Sequence, residues 1–120
     1  MKVSTEMRNL LIRIVSDPRK SPRPAEAVRI AAGVGAWRKV QVHLCFEGAA
    51  VRALDEFADE LTNGDLFTQY LSAIPDHGGK ILVESGNPLL GSVKPAVPFE
   101  SLPADQIQQF AAQMDHVMQF

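Results

Sequence analysis

The chain has 120 residues, of which 46% are hydrophobic and 22% charged, a composition typical of one ordinary globular domain and not of a disordered chain. Its 12 basic and 14 acidic side chains give a net charge of −2, so no strong positive field would attract a nucleic acid. The single cysteine excludes an internal disulfide, and no apolar run reaches the about 20 residues of a membrane helix. We therefore expect a cytoplasmic protein without a nucleic-acid or membrane partner.

The first third of the chain predicts one strand and one helix. Residues 1–9 are polar and unpatterned, which predicts a flexible lead-in, whereas residues 10–120 predict a single domain. The apolar run over residues 10–15 is typical of a covered strand, although Arg13 indicates that one face is only partly covered or meets another subunit. A helix can begin at Pro24 and pack a small-residue face on a sheet. That face comprises Val28, Ala31, Ala32 and Gly35, and Trp37 follows as an expected packing anchor.

The middle of the chain predicts a second strand followed by two helices. Residues 40–46 alternate apolar with polar side chains, so His43 is expected to be partly exposed on this strand. Asp65 is a typical N-cap for the second of the two helices, which Pro75 would stop. The first of them is indicated by the helical spacing of Leu54, Phe57, Ala58 and Leu61, and Asn63 and Gly64 would end it.

The last third predicts three strands and one helix. Pro98 marks the middle one of these strands as an edge strand or as irregular, because proline cannot donate to a neighbouring strand. Strands that alternate with helices indicate βαβ units with right-handed crossovers. The predicted fold is therefore α/β, a three-layer α/β/α sandwich with a mainly parallel five-stranded sheet. The strands cover residues 80–84, 97–102 and 117–120, with a glycine-containing loop over residues 85–91 and a helix that begins at Pro103.

Four segments of the chain also carry a family resemblance. They are IVSDP at residues 14–18 with the small-residue helix after it, FEGAAV at residues 46–51, the glycine-closed loop after the third strand, and DHVMQF at residues 115–120. In this order and spacing they resemble the DsrE/DsrF-like family, which includes TusD-type subunits of bacterial sulfur relay. The resemblance covers residues 11–120. It implies a DsrEFH-like protein that forms trimers or hexamers, alone or with sister subunits.

The resemblance also implies where a sulfur-carrying cysteine would lie. Active members of the family carry sulfur as a persulfide on a cysteine near the end of the third strand. Counted back from Gly91, that position falls at or close to Val83, and the surrounding ILVESG at residues 81–86 contains no sulfur. The hydroxyl of Ser85 cannot form a persulfide, so we do not expect sulfur transfer through the family's usual residue.

Cys45 is the only thiol of the chain and the candidate catalytic residue. It lies near the carboxyl end of the second predicted strand, where open α/β sheets place ligands. One interpretation is a small buried hydrophobe, because its neighbours are Leu44 and Phe46. The alternative is a persulfide carrier, which requires an exposed thiol with a lowered pKa.

Polar groups also follow the carboxyl ends of three predicted strands, where they would converge on one crevice. This set would bind a small polar ligand, such as a sulfur-containing one. Alternatively, Asp17, Glu84 and Ser85, together with His77, would form the acid/base set of a small hydrolase or lyase. The simplest interpretation is that these groups only cap turns or are solvated. The ligand-binding candidates are Ser16, Asp17, Glu47, Gly48, Glu84, Ser85 and Asn87.

No cofactor or metal is expected. The glycine-containing stretches match neither a P-loop nor a dinucleotide-binding fingerprint. The three histidines, His43, His77 and His116, lack the spacing of metal ligands. A short basic run would hold a phosphate or, in the simpler interpretation, form a solvated loop; it comprises Arg19, Lys20 and Arg23.

The leading hypothesis is a DsrE-like oligomeric protein without the sulfur-carrying cysteine, acting as a non-catalytic or small-ligand-binding member of a sulfur relay system. The first alternative is a sulfurtransferase-type persulfide carrier that uses Cys45. The second is the small hydrolase or lyase described above. A homo-oligomer, or an assembly with sister subunits, is also favoured by the apolar loop residues Leu89, Leu90 and Val93.

Overall fold

The computed structural model describes residues 7–120. This part of the chain forms five strands: β1 (Arg8–Ile14), β2 (Val40–Phe46), β3 (Ile81–Glu84), β4 (Glu100–Leu102) and β5 (His116–Gln119). Its α-helices are α1 (Arg23–Ala36), α2 (Asp65–Tyr70), α3 (Ala73–Asp76) and α4 (Ala104–Ala112). Three 3-10 segments lie in the loops, at Gly48–Leu54, Ala58–Glu60 and Leu90–Ser92.

The strands form one sheet in the order β4-β3-β2-β1-β5, and every neighbouring pair is parallel. The chain crosses the sheet in one direction from β1 to β4 and then returns to β5 beyond β1. Right-handed crossovers in opposite directions place their helices on opposite faces. Accordingly α1, α2 and α3 pack together on one face, while α4 lies on the other. The prediction of a three-layer sandwich with a parallel five-stranded sheet is confirmed.

The alternating side chains of β1 explain why the sheet has two unequal cores. Leu10, Ile12 and Ile14 point into a large cluster that includes the small residues of α1. Leu11 points the other way, into a small cluster under α4 with Cys45. Because side chains alternate along a strand, Arg13 shares the α4 face with Leu11. The α4 face therefore changes from apolar to charged near the carboxyl end of β1.

Strands β1 and β4 differ slightly from the sequence prediction. Strand β1 begins at Arg8, two residues earlier than predicted, and the lead-in residues 1–6 lie outside the described part of the chain. Strand β4 is shorter than predicted, and Pro98 precedes it; β4 is an edge strand, as the proline indicated. The prediction that Trp37 is a packing anchor is wrong, because its side chain is 67% exposed just after α1.

The helix predicted after β2 is replaced by two 3-10 segments. Asp55 lies between them with an extended backbone, and its carboxylate accepts the backbone N–H groups of Phe57 at 3.1 Å and Lys94 at 2.8 Å. An aspartate that binds nearby backbone N–H groups competes with helix formation. As a result Phe57 is exposed and does not join the core.

The next two helices differ from the prediction in two details. Gly64, and not Asp65, is the N-cap of α2, and Asp65 is the first helical residue. The helix predicted to end before Pro75 already ends at Tyr70, and Pro75 lies inside the next helix, α3. Proline is tolerated there because N–H groups in the first turn of a helix have no intrahelical acceptor.

His43 is buried and not partly exposed as predicted. Its ring meets Phe110 of α4 edge-on, with centroids 5.1 Å apart, and its Nδ1 accepts the Lys80 backbone N–H at 3.0 Å. Burial, followed by the nearby charge of Lys80, lowers the pKa of His43. The neutral ring is therefore part of the packing between α4 and the sheet. None of the helices formed by residues 7–120 has the length and hydropathy to cross a bilayer.

Candidate functional site at the carboxyl ends of the strands

A hydrogen-bonded cluster joins the carboxyl ends of β2 and β3. Gly48 donates its backbone N–H to Oε1 of Glu84 at 2.8 Å. Nδ2 of Asn87 donates to the Gly48 carbonyl and to the same Glu84 oxygen, each at 3.1 Å. Oδ1 of Asn87 accepts the Leu89 N–H at 2.9 Å. Gly48 has a φ of +57°, a left-handed conformation that favours glycine. The structure thus brings together Gly48, Glu84 and Asn87 from the predicted crevice.

Glu47 is held on the α4 face by Arg13. Nε and Nη2 of Arg13 donate to the two carboxylate oxygens of Glu47 at 2.7 and 2.8 Å, a bidentate geometry. Hydrogen bonding to Glu47 raises the pKa of Arg13, so the guanidinium stays charged. We did not predict this pair from the sequence. The parallel register places Arg13 beside Cys45 and hence on the same face as Glu47, two residues further along.

Ser16 and Asp17 do not join this cluster. The Asp17 carboxylate accepts the backbone N–H of Arg19 at 2.9 Å and also binds its guanidinium, at 2.8 Å from Nη2. The Ser16 N–H lies 3.4 Å from the Phe120 carbonyl, which ties the turn after β1 to the end of β5. Ser85 is exposed, and its N–H donates to the Leu102 carbonyl at 2.8 Å. No hydrogen bond found within residues 7–120 links the Ser85 hydroxyl to Asp17 or Glu84.

The pKa of Asp17 gives a test of this turn. Hydrogen bonds from Arg19 lower it from the ordinary 3.8 to about 2. Because the folded pKa lies below the unfolded one, Asp17 stabilises the fold fully above its ordinary pKa and loses this effect as the pH falls towards about 2. We expect Arg19→Gln to return the pKa towards 3.8, as followed by NMR of the carboxyl carbon. Arg29→Gln, which breaks a pair with Glu26 on α1, should leave Asp17 unchanged.

Cys45 lies in the middle of the protein. Its side chain is 0% exposed and packs with Leu11, Leu82 and Ile107 under α4. Burial, with the negative charge of Glu47 as the second cause, raises the pKa of the thiol to about 12. At neutral pH the group is therefore a protonated thiol that solvent does not reach. Sulfur transfer requires the opposite, an accessible thiolate.

The acid/base set of the hydrolase hypothesis is not assembled. His77 lies before β3, at the amino end of the strand, where its carbonyl accepts the Gln41 side-chain amide at 2.9 Å. Glu84 and Ser85 lie at the other end of β3, and Asp17 is bound to Arg19. Over residues 7–120, no three His, Cys, Asp or Glu side chains are grouped so that they could hold a metal ion.

Asn87 should be important for the stability of this edge of the sheet. It is buried, and its amide serves Gly48, Glu84 and the N–H of Leu89. We expect Asn87→Ala to lower the free energy of unfolding by about 1–3 kcal/mol, because it removes the three hydrogen bonds of a buried amide. Urea unfolding would measure this. The control is Gln108→Ala on the exposed side of α4, which should change the free energy of unfolding by less than about 0.5 kcal/mol. An equally small change in both variants would show that the hydrogen bonds of Asn87 do not stabilise the fold.

The fold resembles that of the ychN protein from E. coli. The crystal structure of YchN, whose fold is DsrE/DsrF-like, superimposes with a TM-score of 0.76 and 16% sequence identity. The match covers 95% of this chain and 100% of YchN. At this identity the likeness to YchN shows the fold alone. No protein-family model and no curated protein matches the chain.

The apolar side chains of the loop that follows β3 pack in part against their own chain. Leu89, Leu90 and Val93 are half-buried against the large core, so only part of each remains exposed. Val83, at or close to which the resemblance would place a sulfur-carrying cysteine, is fully buried in the same core. The large exposed apolar side chains lie elsewhere, in part on β5.

Proposed function

We propose that this protein is a non-catalytic, oligomer-forming subunit with a DsrE-like fold that works in a cytoplasmic sulfur-relay or sulfur-metabolism system. The observation that carries the proposal is the state of Cys45. It is the only cysteine of the 120 residues, and it is fully buried with a raised pKa. The sulfur-relay setting rests on the resemblance to the DsrE/DsrF-like family together with the likeness to YchN.

The chemistry of persulfide transfer explains why Cys45 carries this argument. A thiolate must attack the outer sulfur of a persulfide donor, and the donor's thiolate must leave. Cys45 has no path for the donor, and a pKa of about 12 leaves almost no thiolate at neutral pH. A role in binding or assembly needs neither an exposed nor an ionised thiol.

Assembly is supported by the outer edge of β5. This strand is at the end of the sheet, and its central residues Val117 and Met118 are 46% and 45% exposed. An edge strand with apolar centre residues is a template for pairing with another strand. Two copies of β5 that pair antiparallel about this centre would match apolar with apolar side chains and place His116 opposite Gln119. We propose a second copy of this chain as the partner at this edge.

Light scattering at micromolar concentration tests the assembly. We expect a mass that is a multiple of 13.1 kDa, and a shift towards one copy in Met118→Lys, because the lysine would face the apolar Val117 of the second copy and would put a charge on the paired edge. The exposed α4 variant Gln109→Lys adds the same charge away from β5 and should keep the native mass. A monomeric native protein would contradict the proposed assembly. Equal effects of both variants on the mass would show that β5 is not the interface between copies.

An intact-mass measurement tests the absence of sulfur transfer. The protein is incubated with a persulfide donor, and the native chain is compared with Cys45→Ala. We expect no gain of sulfur in either folded protein, whereas the native chain unfolded in denaturant gains sulfur and serves as the positive control. A gain in the folded native chain that disappears in Cys45→Ala would support the alternative, a persulfide carrier that uses Cys45.

A further inference from the structure

A small cavity lies at the carboxyl edge of the sheet, apart from Cys45 and from the Gly48–Glu84–Asn87 cluster. Its volume is about 180 Å³, enough for several water molecules at about 30 Å³ each. Three loops contribute to it: the turn after β1, the 3-10 region after β2, and the loop between β3 and β4. The lining residues are Arg19, Arg52, Asp55, Phe57, Leu61, Ser92 and Val93. We call this cavity the arginine pocket.

Arg52 supplies the observation that requires an explanation. Its Nε is buried and has no hydrogen-bond partner among residues 7–120. A guanidinium carries only donors and keeps its charge at any physiological pH. A buried donor without an acceptor is costly, and a water molecule or an anion held at the pocket would supply the acceptor.

The other charged groups of the pocket are already positioned. Asp17 holds the Arg19 guanidinium at 2.8 Å, which fixes a second cation at the pocket. The two carboxylate oxygens of Asp55 accept the backbone N–H groups of Phe57 and Lys94. The carboxylate of Asp55 therefore stabilises the backbone around the pocket. It is not hydrogen-bonded to the buried Nε of Arg52.

The apolar lining indicates what kind of molecule fits. Phe57, Leu61 and Val93 line the pocket together with the two arginines. Carboxylate, sulfonate and phosphate groups all match the donor geometry of a guanidinium. A short hydrocarbon part would lie against the apolar side chains and remove them from water.

We propose that the arginine pocket binds a small organic anion, with its carboxylate, sulfonate or phosphate head at Arg52 and Arg19 and its apolar part against Leu61 and Val93. This proposal does not depend on the sulfur chemistry of the protein. A protein that takes up no sulfur can still bind the anion, and the two results are measured separately.

NMR of the arginine Nε–H groups tests the proposal on the full chain. The probes are benzoate, propanesulfonate, phenyl phosphate and inorganic phosphate at millimolar concentration, with benzamide as the neutral analogue of benzoate. We expect the Arg52 Nε–H signal to shift and saturate with the organic anions and to stay unchanged with benzamide. Saturation by inorganic phosphate alone would overturn the role of the apolar part, and equal shifts with benzamide would overturn the role of charge.

Variants separate the pocket from general surface charge. We expect Arg52→Met to weaken binding of the best organic anion roughly tenfold or more, because it removes a charge-assisted hydrogen bond. Arg19→Met, at a half-exposed side chain, should weaken binding by a smaller factor without unfolding the chain. Arg29→Met removes the same charge on the outer side of α1 and should leave binding unchanged. No shift at Arg52 with any anion, or equal weakening by Arg29→Met, would overturn the proposal.

Discussion

Replacing Gly79 with alanine is expected to lower the free energy of unfolding by about 3–4 kcal/mol, at the upper end of what single substitutions do. Gly79 lies in the connection between α3 and β3, and it passes directly against the backbone of β2. A Cβ atom there would fall inside van der Waals contact with the Val42 carbonyl oxygen and would lie 3.0 Å from Cγ2 of Ile74. A backbone oxygen in the central part of a sheet cannot move away as a flexible side chain can.

Gly33→Ala is the matched control for this prediction. Gly33 is an exposed residue of α1, and a Cβ added to it meets no atom within 4 Å. Alanine in a helix should stabilise the protein by about 0.5–1 kcal/mol relative to glycine. Urea unfolding of both variants measures the difference. If Gly79→Ala were as stable as Gly33→Ala, the close approach of the turn to β2 would be wrong.

Phe46→Ala is expected to cost about 3–5 kcal/mol. Phe46 is fully buried at the end of β2, in the large core between the sheet and α1. Its removal leaves a cavity beside Ile14 and Val83, its neighbours in the parallel register on either side. A rigid sheet refills such a cavity only in part, so the lost contacts are not recovered.

The matched control is Phe57→Ala. Phe57 belongs to the same residue type, but it lies in the exposed segment between the two 3-10 turns after β2. We expect a change within about 0.5 kcal/mol of the native free energy of unfolding. Calorimetry or urea unfolding would separate the two variants clearly. If Phe57→Ala lowered the free energy of unfolding by several kcal/mol, Phe57 would pack into the core, as the helix predicted from the sequence implied.

These two phenylalanines also show where the sequence was informative. The alternation over residues 40–46 predicted β2 with its observed bounds, although the structure buries residues 42–46 on both faces of the sheet. Phe57 fitted a helical pattern equally well by spacing. The carboxylate of Asp55, which binds the N–H groups of Phe57 and Lys94, decided against the helix. One of those contacts spans 39 residues and has no local signal.

The side chains that were misjudged have the same kind of cause. His43 was expected to be partly exposed because strands alternate, yet α4 covers that face and Phe110 packs on its ring. Trp37 was expected to pack because of its size, but α1 ends just before it and leaves it in solvent. Which face of a sheet is covered depends on the crossover from β4 to β5, and periodicity alone does not give this.

For the candidate site, the sequence predicted the polar residues at strand ends but not their partners. Gly48, Glu84 and Asn87 do converge, because the ends of parallel neighbours lie side by side. Asp17 was grouped with them, although Arg19, two residues away, binds its carboxylate instead. Arg52 was missed altogether, since nothing in its sequence context distinguishes a buried arginine from a solvated one. Its buried Nε is visible only in the structure.

The rate at which a thiol reagent labels Cys45 in the folded and in the unfolded chain directly tests the buried position of this thiol. We expect labelling of the native protein to be on the order of a thousandfold slower or more, because the thiol reacts only when the fold opens. In denaturant the single thiol should react fully and fast. Similar rates in both conditions would show an accessible Cys45 and would contradict its place in the core and the non-catalytic function built on it.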